Sequence, residues 1–122
     1  MIIVDANIWV DHLRGRHEPM LDELVLSNEA AMHPHVLGEI SLGSFANRDA
    51  VLTRLERLPI PNVAREGHVR FMIDQHKLYS TGIGYSDAHL IASARLSPDG
   101  FLWTRDKRLH VQAERLGVAY AP

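Results

Sequence analysis

The run Ile2-Ile3-Val4 is β-branched at every position and ends on Asp5. A strand that faces water on one side alternates apolar with polar residues, whereas an unbroken apolar run marks a strand covered on both faces, as in a parallel sheet. Parallel neighbours need crossover helices, and helical spacing follows the run. Ile8, Trp9 and Leu13 recur at helical intervals over Asn7 to Leu13, as do Met20, Leu21, Leu24 and Val25 over Glu18 to Ser27. Ala30-Ala31-Met32 reads as a short strand. Pro34 suits the first turn of a helix whose stripe is Val36, Leu37, Ile40 and Phe45. Arg48 to Leu58 is a further helix with Val51, Leu52, Leu55 and Leu58 in register, and Pro59 and Pro61 confine Ile60 to a short or edge strand. Val63 to Leu78 supports another helix, Ser80-Thr81-Gly82-Ile83-Gly84 a loop, and Ser86 the N-cap of a helix through Leu96. After a turn at Pro98-Asp99-Gly100, Phe101-Leu102-Trp103 is a second fully apolar strand. Asp106 caps a last helix bearing Leu109, Val111 and Leu116, Gly117 stops it, and Val118-Ala119-Tyr120 offers a final short strand. Short apolar strands separated by helices predict an α/β fold with a short, mainly parallel sheet.

Composition bounds the chemistry. The 122 residues, 46% hydrophobic and 23% charged, have the balance of a folded globular protein and the length of one domain. The chain has no cysteine, so disulfides, thiolate zinc sites, iron–sulfur clusters and thiol nucleophiles are excluded, and any metal must be held by oxygen or imidazole. Met1-Ile2-Ile3-Val4 is too short an apolar stretch for a signal peptide or membrane span, which leads to the expectation of a soluble, cytoplasmic protein.

In open parallel sheets ligands bind beyond the carboxyl ends of the strands. Asp5 directly follows the first strand, and Asp106 follows Phe101–Trp103 by way of Thr104 and Arg105. Each is equally readable as the cap of the next helix. Asp87 has Leu90, Ile91 and Ala94 at i+3, i+4 and i+7, in line with apolar residues, where a lone carboxylate is costly unless paired or metal-bound. Its bland alternative is a first-turn acid complementing the helix dipole. Glu39 lies at the edge of the stripe containing Ile40, where a surface salt bridge is the competing reading. Were the four to converge, mutual repulsion would raise their pKa values unless cations neutralised them, and hard oxygen ligands select Mg²⁺ or Mn²⁺.

These residues carry a resemblance. Ile3-Val4-Asp5-Ala6-Asn7 with Trp9-Val10-Asp11, then Gly38-Glu39-Ile40 with Gly43, then Ser86-Asp87-Ala88 with Ile91-Ala92, and Thr104-Arg105-Asp106 resemble, in order and spacing, the PIN-domain ribonucleases, specifically the VapC-like toxins of toxin–antitoxin pairs. The resemblance runs from residue 2 to about 120. It implies a three-layer α/β/α sandwich, with residues 1–122 forming one nuclease domain, and metal-dependent endonucleolytic cleavage of RNA. It makes Asp5, Glu39, Asp87 and Asp106 the metal-binding and catalytic acids, with Asn7 and Thr104 supporting them. Leu109 stands where Phe is common in such proteins and Ala6 where Thr is frequent; neither change removes a ligand. A cognate antitoxin in the active-site groove, homodimers and toxin–antitoxin hetero-oligomers are also implied.

Other residues take structural readings. His33-Pro34-His35 is the tightest of the histidine pairs, but no zinc-ligand spacing occurs, and surface or structural roles are expected of every histidine. Trp9 and Trp103 could stack on bases, but each lies within an apolar run, so core packing is the expectation. Gly82-Ile83-Gly84 follows no strand and is a loop. Arg14, Arg16, Arg105, Lys107 and Arg108 flank the segments bearing Asp5 and Asp106, as either a solvated face or contacts to backbone phosphate.

Two rival readings stand beside the nuclease. An aspartate-based phosphatase or receiver-like domain would use Asp5 as phospho-acceptor, yet such enzymes normally want a second acid at position 7, which is Asn here. A non-catalytic binding module would have no reason to keep four aligned acids. Net charge does not decide against RNA. With 13 Lys+Arg and 15 Asp+Glu the chain is at −2, but setting the four acids aside leaves 11 acids against 13 bases, a mildly basic scaffold around an acidic centre.

Overall fold

A computed structural model describes residues 1–122. The elements, in order, are β1 (Ile2–Val4), α1 (Ala6–Leu13), α2 (Pro19–Leu26), β2 (Ala30–Ala31), α3 (Pro34–Ser41), α4 (Arg48–Leu55), α5 (Glu66–Gln75), α6 (Tyr85–Leu96), β3 (Phe101–Trp103) and α7 (Lys107–Arg115). The sheet has the order β2-β1-β3, and both pairings are parallel. β1 is central, with Ile3 opposite Ala31 on one side and Leu102 on the other. Ile3 and Val4 point to opposite faces of the sheet and neither is exposed, so both faces are covered, as the unbroken apolar run requires. The result is the expected α/β architecture with helices on both sides of a short sheet. Both tryptophans are buried, and one cluster of 28 buried apolar residues extends from Ile2 to Val118.

Several boundaries differ from the sequence reading, for one reason: apolar spacing reports burial, and burial does not require helical hydrogen bonding. The helix expected over Val63 to Leu78 forms only from Glu66 to Gln75, although Ala64 and Leu78, outside it, are buried. Helix α4 stops at Leu55 rather than Leu58. Phe45 packs on the core from beyond the end of α3. No strand forms at Ile60, but Pro59 accepts a hydrogen bond from Met32 N–H (2.8 Å) and extends the β2 edge. Val118 to Tyr120 makes a single parallel bridge, Ala119 opposite Leu102, instead of a strand. Helix α6 begins one residue before Ser86 and is capped at Gly84, whose N–H is taken by the Asp87 carboxylate at 2.9 Å; the Ser86 hydroxyl faces His35 instead.

No helix is long and apolar enough to cross a membrane.

Candidate active site

Parallel pairing puts the carboxyl ends of β1 and β3 side by side, with Val4 opposite Trp103, so the next residues, Asp5 and Thr104, are neighbours. Asp5 N–H donates to Trp103 C=O at 2.9 Å. The buried Asp5 carboxylate is held at both oxygens. Oδ1 accepts Ala6 N–H at 2.7 Å, capping α1, and Oδ2 accepts the Thr104 hydroxyl at 2.7 Å and the Asn7 amide at 3.3 Å. Asn7 also donates to Thr104 Oγ1 and accepts Arg105 N–H, both at 3.3 Å. Thr104 Oγ1 in turn accepts Asp106 N–H at 3.1 Å, so one hydroxyl ties the first acid to the backbone of the last.

Capping and site formation prove compatible. Asp106 caps α7 through Oδ1, which accepts Arg108 N–H at 2.9 Å and Leu109 N–H at 3.2 Å, while Oδ2 has no protein partner. Asp87 uses Oδ2 on Gly84 N–H and leaves Oδ1 free. Three acids thus stand at the N-terminal ends of α1, α6 and α7, where the helix dipole favours negative charge. Glu39 differs: it lies in the last turns of α3, exposed, with no hydrogen bond to either oxygen.

Asp5 and Glu39 register the charge of the acids around them. Burial pushes the Asp5 carboxyl up, against the Thr104 hydroxyl and Ala6 N–H that favour its ionised form, and the charges of Asp87 and Asp106 push it further. Partial burial raises Glu39 as well, followed by the charges of Asp5 and Asp87, with His35 acting in the opposite direction. The structure therefore brings acids from the ends of two strands, from α3 and from the first turn of α6 into one cleft, and none of the four is held in a salt bridge. Carboxylate oxygens without protein partners on Glu39, Asp87 and Asp106, in the same cleft as the held Asp5, are of the chemistry a hard divalent cation takes, although no three of these acids bring their oxygens within 4.8 Å of one another. Asp5 is poorly suited to act as a phospho-acceptor, because both of its oxygens are engaged.

The expected basic residues divide. The Arg105 guanidinium is taken by Asp11 (2.6 Å) and Glu18 (2.9 Å), so it braces the loop after β3 against α1 and the start of α2 rather than standing free for phosphate. Arg14 donates to Ser44 C=O at 3.4 Å. Arg108 lies across Gly82 in the loop that leads to Asp87. Arg16 and Lys107 are exposed and make no side-chain hydrogen bond or ion pair.

Sequence reasoning missed a group of histidines against this cleft. His33 and His89 are buried, and His35 stacks on His89 with ring centroids 4.5 Å apart. A polar residue flanked by apolar ones at Met32 and Val36 was the available signal. The one set of three potential ligands with all ligating atoms within 4.8 Å lies elsewhere, at His12, His17 and Asp22. There His12 Nδ1 accepts Glu18 N–H at 3.1 Å, which leaves the ring proton of the neutral form on Nε2, facing Asp22 at 3.6 Å. A metal would need that nitrogen bare, so the trio reads as a hydrogen-bonded histidine–carboxylate cluster. Nearby, Trp9, Leu13, Leu21, Val51 and Leu55 line an open apolar groove of about 470 Å³ between α1, α2 and α4.

Comparison with known proteins agrees with this geometry. The PIN domain family model matches residues 2–115. Ribonuclease VapC32 of Mycobacterium tuberculosis is 40% identical over 121 residues, covering 99% of this chain and 97% of that protein. The crystal structure of FitAcB from Neisseria gonorrhoeae superposes with a TM-score of 0.66 at 23% identity, over 98% of this chain and 95% of that one. The structure of FitAB bound to an IR36 DNA fragment gives the same TM-score at 20% identity, over 98% and 92% of the two chains. At those identities the two structures attest the fold alone.

Proposed function

This chain belongs to the PIN-domain family, in its VapC ribonuclease branch, and on that premise we propose that it is a metal-dependent endoribonuclease toxin of a toxin–antitoxin pair. The observation that carries the reading is geometric: Thr104 ties Asp5 and Asp106 together at the adjoining ends of β1 and β3, and Asp87 and Asp106 each keep a carboxylate oxygen without a protein partner. Asp5, Asp87, Asp106 and Glu39 would hold Mg²⁺, with Mn²⁺ as a substitute. When bound, the cation supplies a lowered pKa for attacking water and neutralises charge on the phosphodiester.

The remaining work falls to the chain. Asp5 is pre-positioned by Thr104, Asn7 and Ala6 N–H, so its orientation does not depend on substrate. Glu39, whose oxygens have no hydrogen-bond partner, would be the acid free to take the proton released by the attacking water. Lys107 and Arg108, next to Asp106 in the chain, would supply backbone-phosphate contacts beside the acids, and Arg14 and Arg16, at and beyond the C-terminal end of α1, would meet RNA further from them. Asn7 and Thr104 act through Asp5 rather than on substrate.

A cognate antitoxin is the proposed protein partner and a homodimer the proposed assembly, both in the cytoplasm. Exposed Leu26 and Leu42, at 87% and 89%, and the apolar groove beside α2 provide surface for such contacts.

Purified protein should cleave a susceptible RNA in the presence of Mg²⁺ or Mn²⁺ and lose that activity with EDTA. Asp5→Ala and Asp87→Ala should each abolish cleavage and relieve growth inhibition. Undiminished cleavage in either variant would refute the site assignment.

A further inference from the structure

The N-terminal turn of α3 is fastened to α6 at two points, and both use a histidine and a serine. His33 Nδ1 accepts His35 N–H at 3.0 Å, so the proton of the neutral ring sits on Nε2, which meets Ser93 Oγ at 3.1 Å. His35 Nδ1 lies 3.2 Å from Ser86 Oγ. Ser86 and Ser93 are seven residues apart, two turns along one face of α6, so the two clamps are parallel. They differ in what they border. The His33–Ser93 clamp is sealed in the core, whereas the His35–Ser86 clamp stands at the acids: Ser86 precedes Asp87, and His35 is one turn before Glu39 on the same face of α3.

His35 is not free to swing away. Its ring stacks on His89 at 4.5 Å with a 40° tilt, and His89, only 2% exposed, meets the Tyr85 ring edge-on at 4.8 Å. His89 Nε2 is 3.1 Å from Glu66 Oε1, off the line of a hydrogen bond, and Glu66 also accepts the Tyr85 hydroxyl. The imidazole of His35 is thus wedged between a buried ring and the serine next to Asp87.

We propose that His35 is a positioning residue of the acidic site: its bond to Ser86 sets the separation of Glu39 on α3 from Asp87 on α6, and so the spread of the oxygens offered to a divalent cation. The inference rests on the reading of these acids as a cation site. It concerns placement of ligands and needs no contact between His35 and substrate.

Calorimetric titration of the full chain with Mn²⁺, with a thermal melt of each variant, tests it. His35→Ala and Ser86→Ala should each weaken Mn²⁺ affinity about tenfold, as residues that orient metal ligands commonly do, and the double variant should be no weaker than either single one. His35→Asn, whose amide replaces Nδ1 in reach of Ser86 Oγ, should recover most of the affinity. Ser93→Ala cuts the other clamp and should lower the melting temperature without weakening Mn²⁺. Unchanged affinity in His35→Ala and Ser86→Ala beside a wild type that binds Mn²⁺ overturns the inference alone, as does an equal loss in Ser93→Ala or no recovery in His35→Asn. A wild type that neither binds Mn²⁺ nor cleaves RNA overturns the cation reading, and this inference with it.

Discussion

The Thr104 hydroxyl donates to Asp5 Oδ2 at 2.7 Å, joining residues 99 positions apart at the adjoining ends of β1 and β3. The same oxygen accepts Asp106 N–H, so Thr104 orients two acids at once. Thr104→Val keeps the shape but removes the donor, leaves Asp106 N–H without its partner and lets the Asp5 carboxyl rise further. Cleavage should fall about 10- to 100-fold, the range for loss of a residue that orients a metal ligand. Thr104→Ser, which keeps the hydroxyl, should stay within a few-fold of wild type. Single-turnover rates at saturating Mg²⁺ check both.

Burial of the acids first, and then repulsion among them, makes the metal-free protein less stable than its fold allows. Asp5 and Glu39 have folded-state pKa values above 3.8 and 4.5, so the native state binds their protons more tightly than the unfolded chain does. That contribution is fully present below those unfolded values and is lost as pH rises through the raised folded ones. Glu39→Gln should therefore raise the melting temperature of metal-free protein at pH 7 by about 2 °C or less, the scale of a surface charge change, and give no gain at pH 4. It should also weaken Mn²⁺ binding. Calorimetric scans at the two pH values with EDTA present read the first effect.

His33 acts in the opposite direction on pH. Burial first, then the nearby His35 and His89, push its pKa down to about 4. The unfolded chain takes up this proton near pH 6.5 and the native state does not, so stability falls as pH drops from 6.5 towards 4. The full loss is about 3 kcal/mol at 1.36 kcal/mol per unit. His33→Asn can still cap α3 through its side-chain oxygen but cannot be protonated, and its urea midpoint should change less over that interval. An equally steep decline in the variant would show that another group carries the slope.

What was legible in the chain was what is decided locally. Ile2-Ile3-Val4 announces a doubly covered strand because β-branched residues without a polar break leave no face for water, and Asp5 and Asp106 are visible as strand-end acids for the same reason. Asp87 shows through its alignment with Leu90, Ile91 and Ala94. What could not be read is what the fold joins across long intervals. Arg105 looks like a free cation until α1 and the α2 entry bring Asp11 and Glu18 to it from 94 and 87 residues away. Ser86 looks like an N-cap because serine and glycine both suit that position, and only the approach of His35, 51 residues earlier, gives its hydroxyl another partner. The histidines carried little signal because an imidazole is compatible with core, cap and surface alike.

Two glycines on segments that lead to site elements should respond to alanine in different ways. Gly82 has φ +88°, and a Cβ there would fall 2.8 Å from Arg108 Cδ and 3.2 Å from its Nη1. The obstacle is a flexible side chain, so Gly82→Ala should cost about 1 kcal/mol for the left-handed backbone and displace Arg108. RNA affinity should fall, and its dependence on salt should become shallower by about one ion if Arg108 holds a phosphate. Gly100, between α6 and β3, meets backbone instead: a Cβ would lie 2.1 Å from Ala94 O and 2.9 Å from Ser97 O. No rotamer relieves that contact, so Gly100→Ala must push the C-terminal end of α6 away from the start of β3, and any effect on Asp87, in the first turn of α6, comes only through a shift of the whole helix. A loss of about 3 kcal/mol or more is expected, the upper range for overpacking, together with weaker Mn²⁺ binding. Melting curves and Mn²⁺ titrations on the two variants decide it; equal, small effects in both would mean that the junction of α6 and β3 yields more readily than this geometry implies.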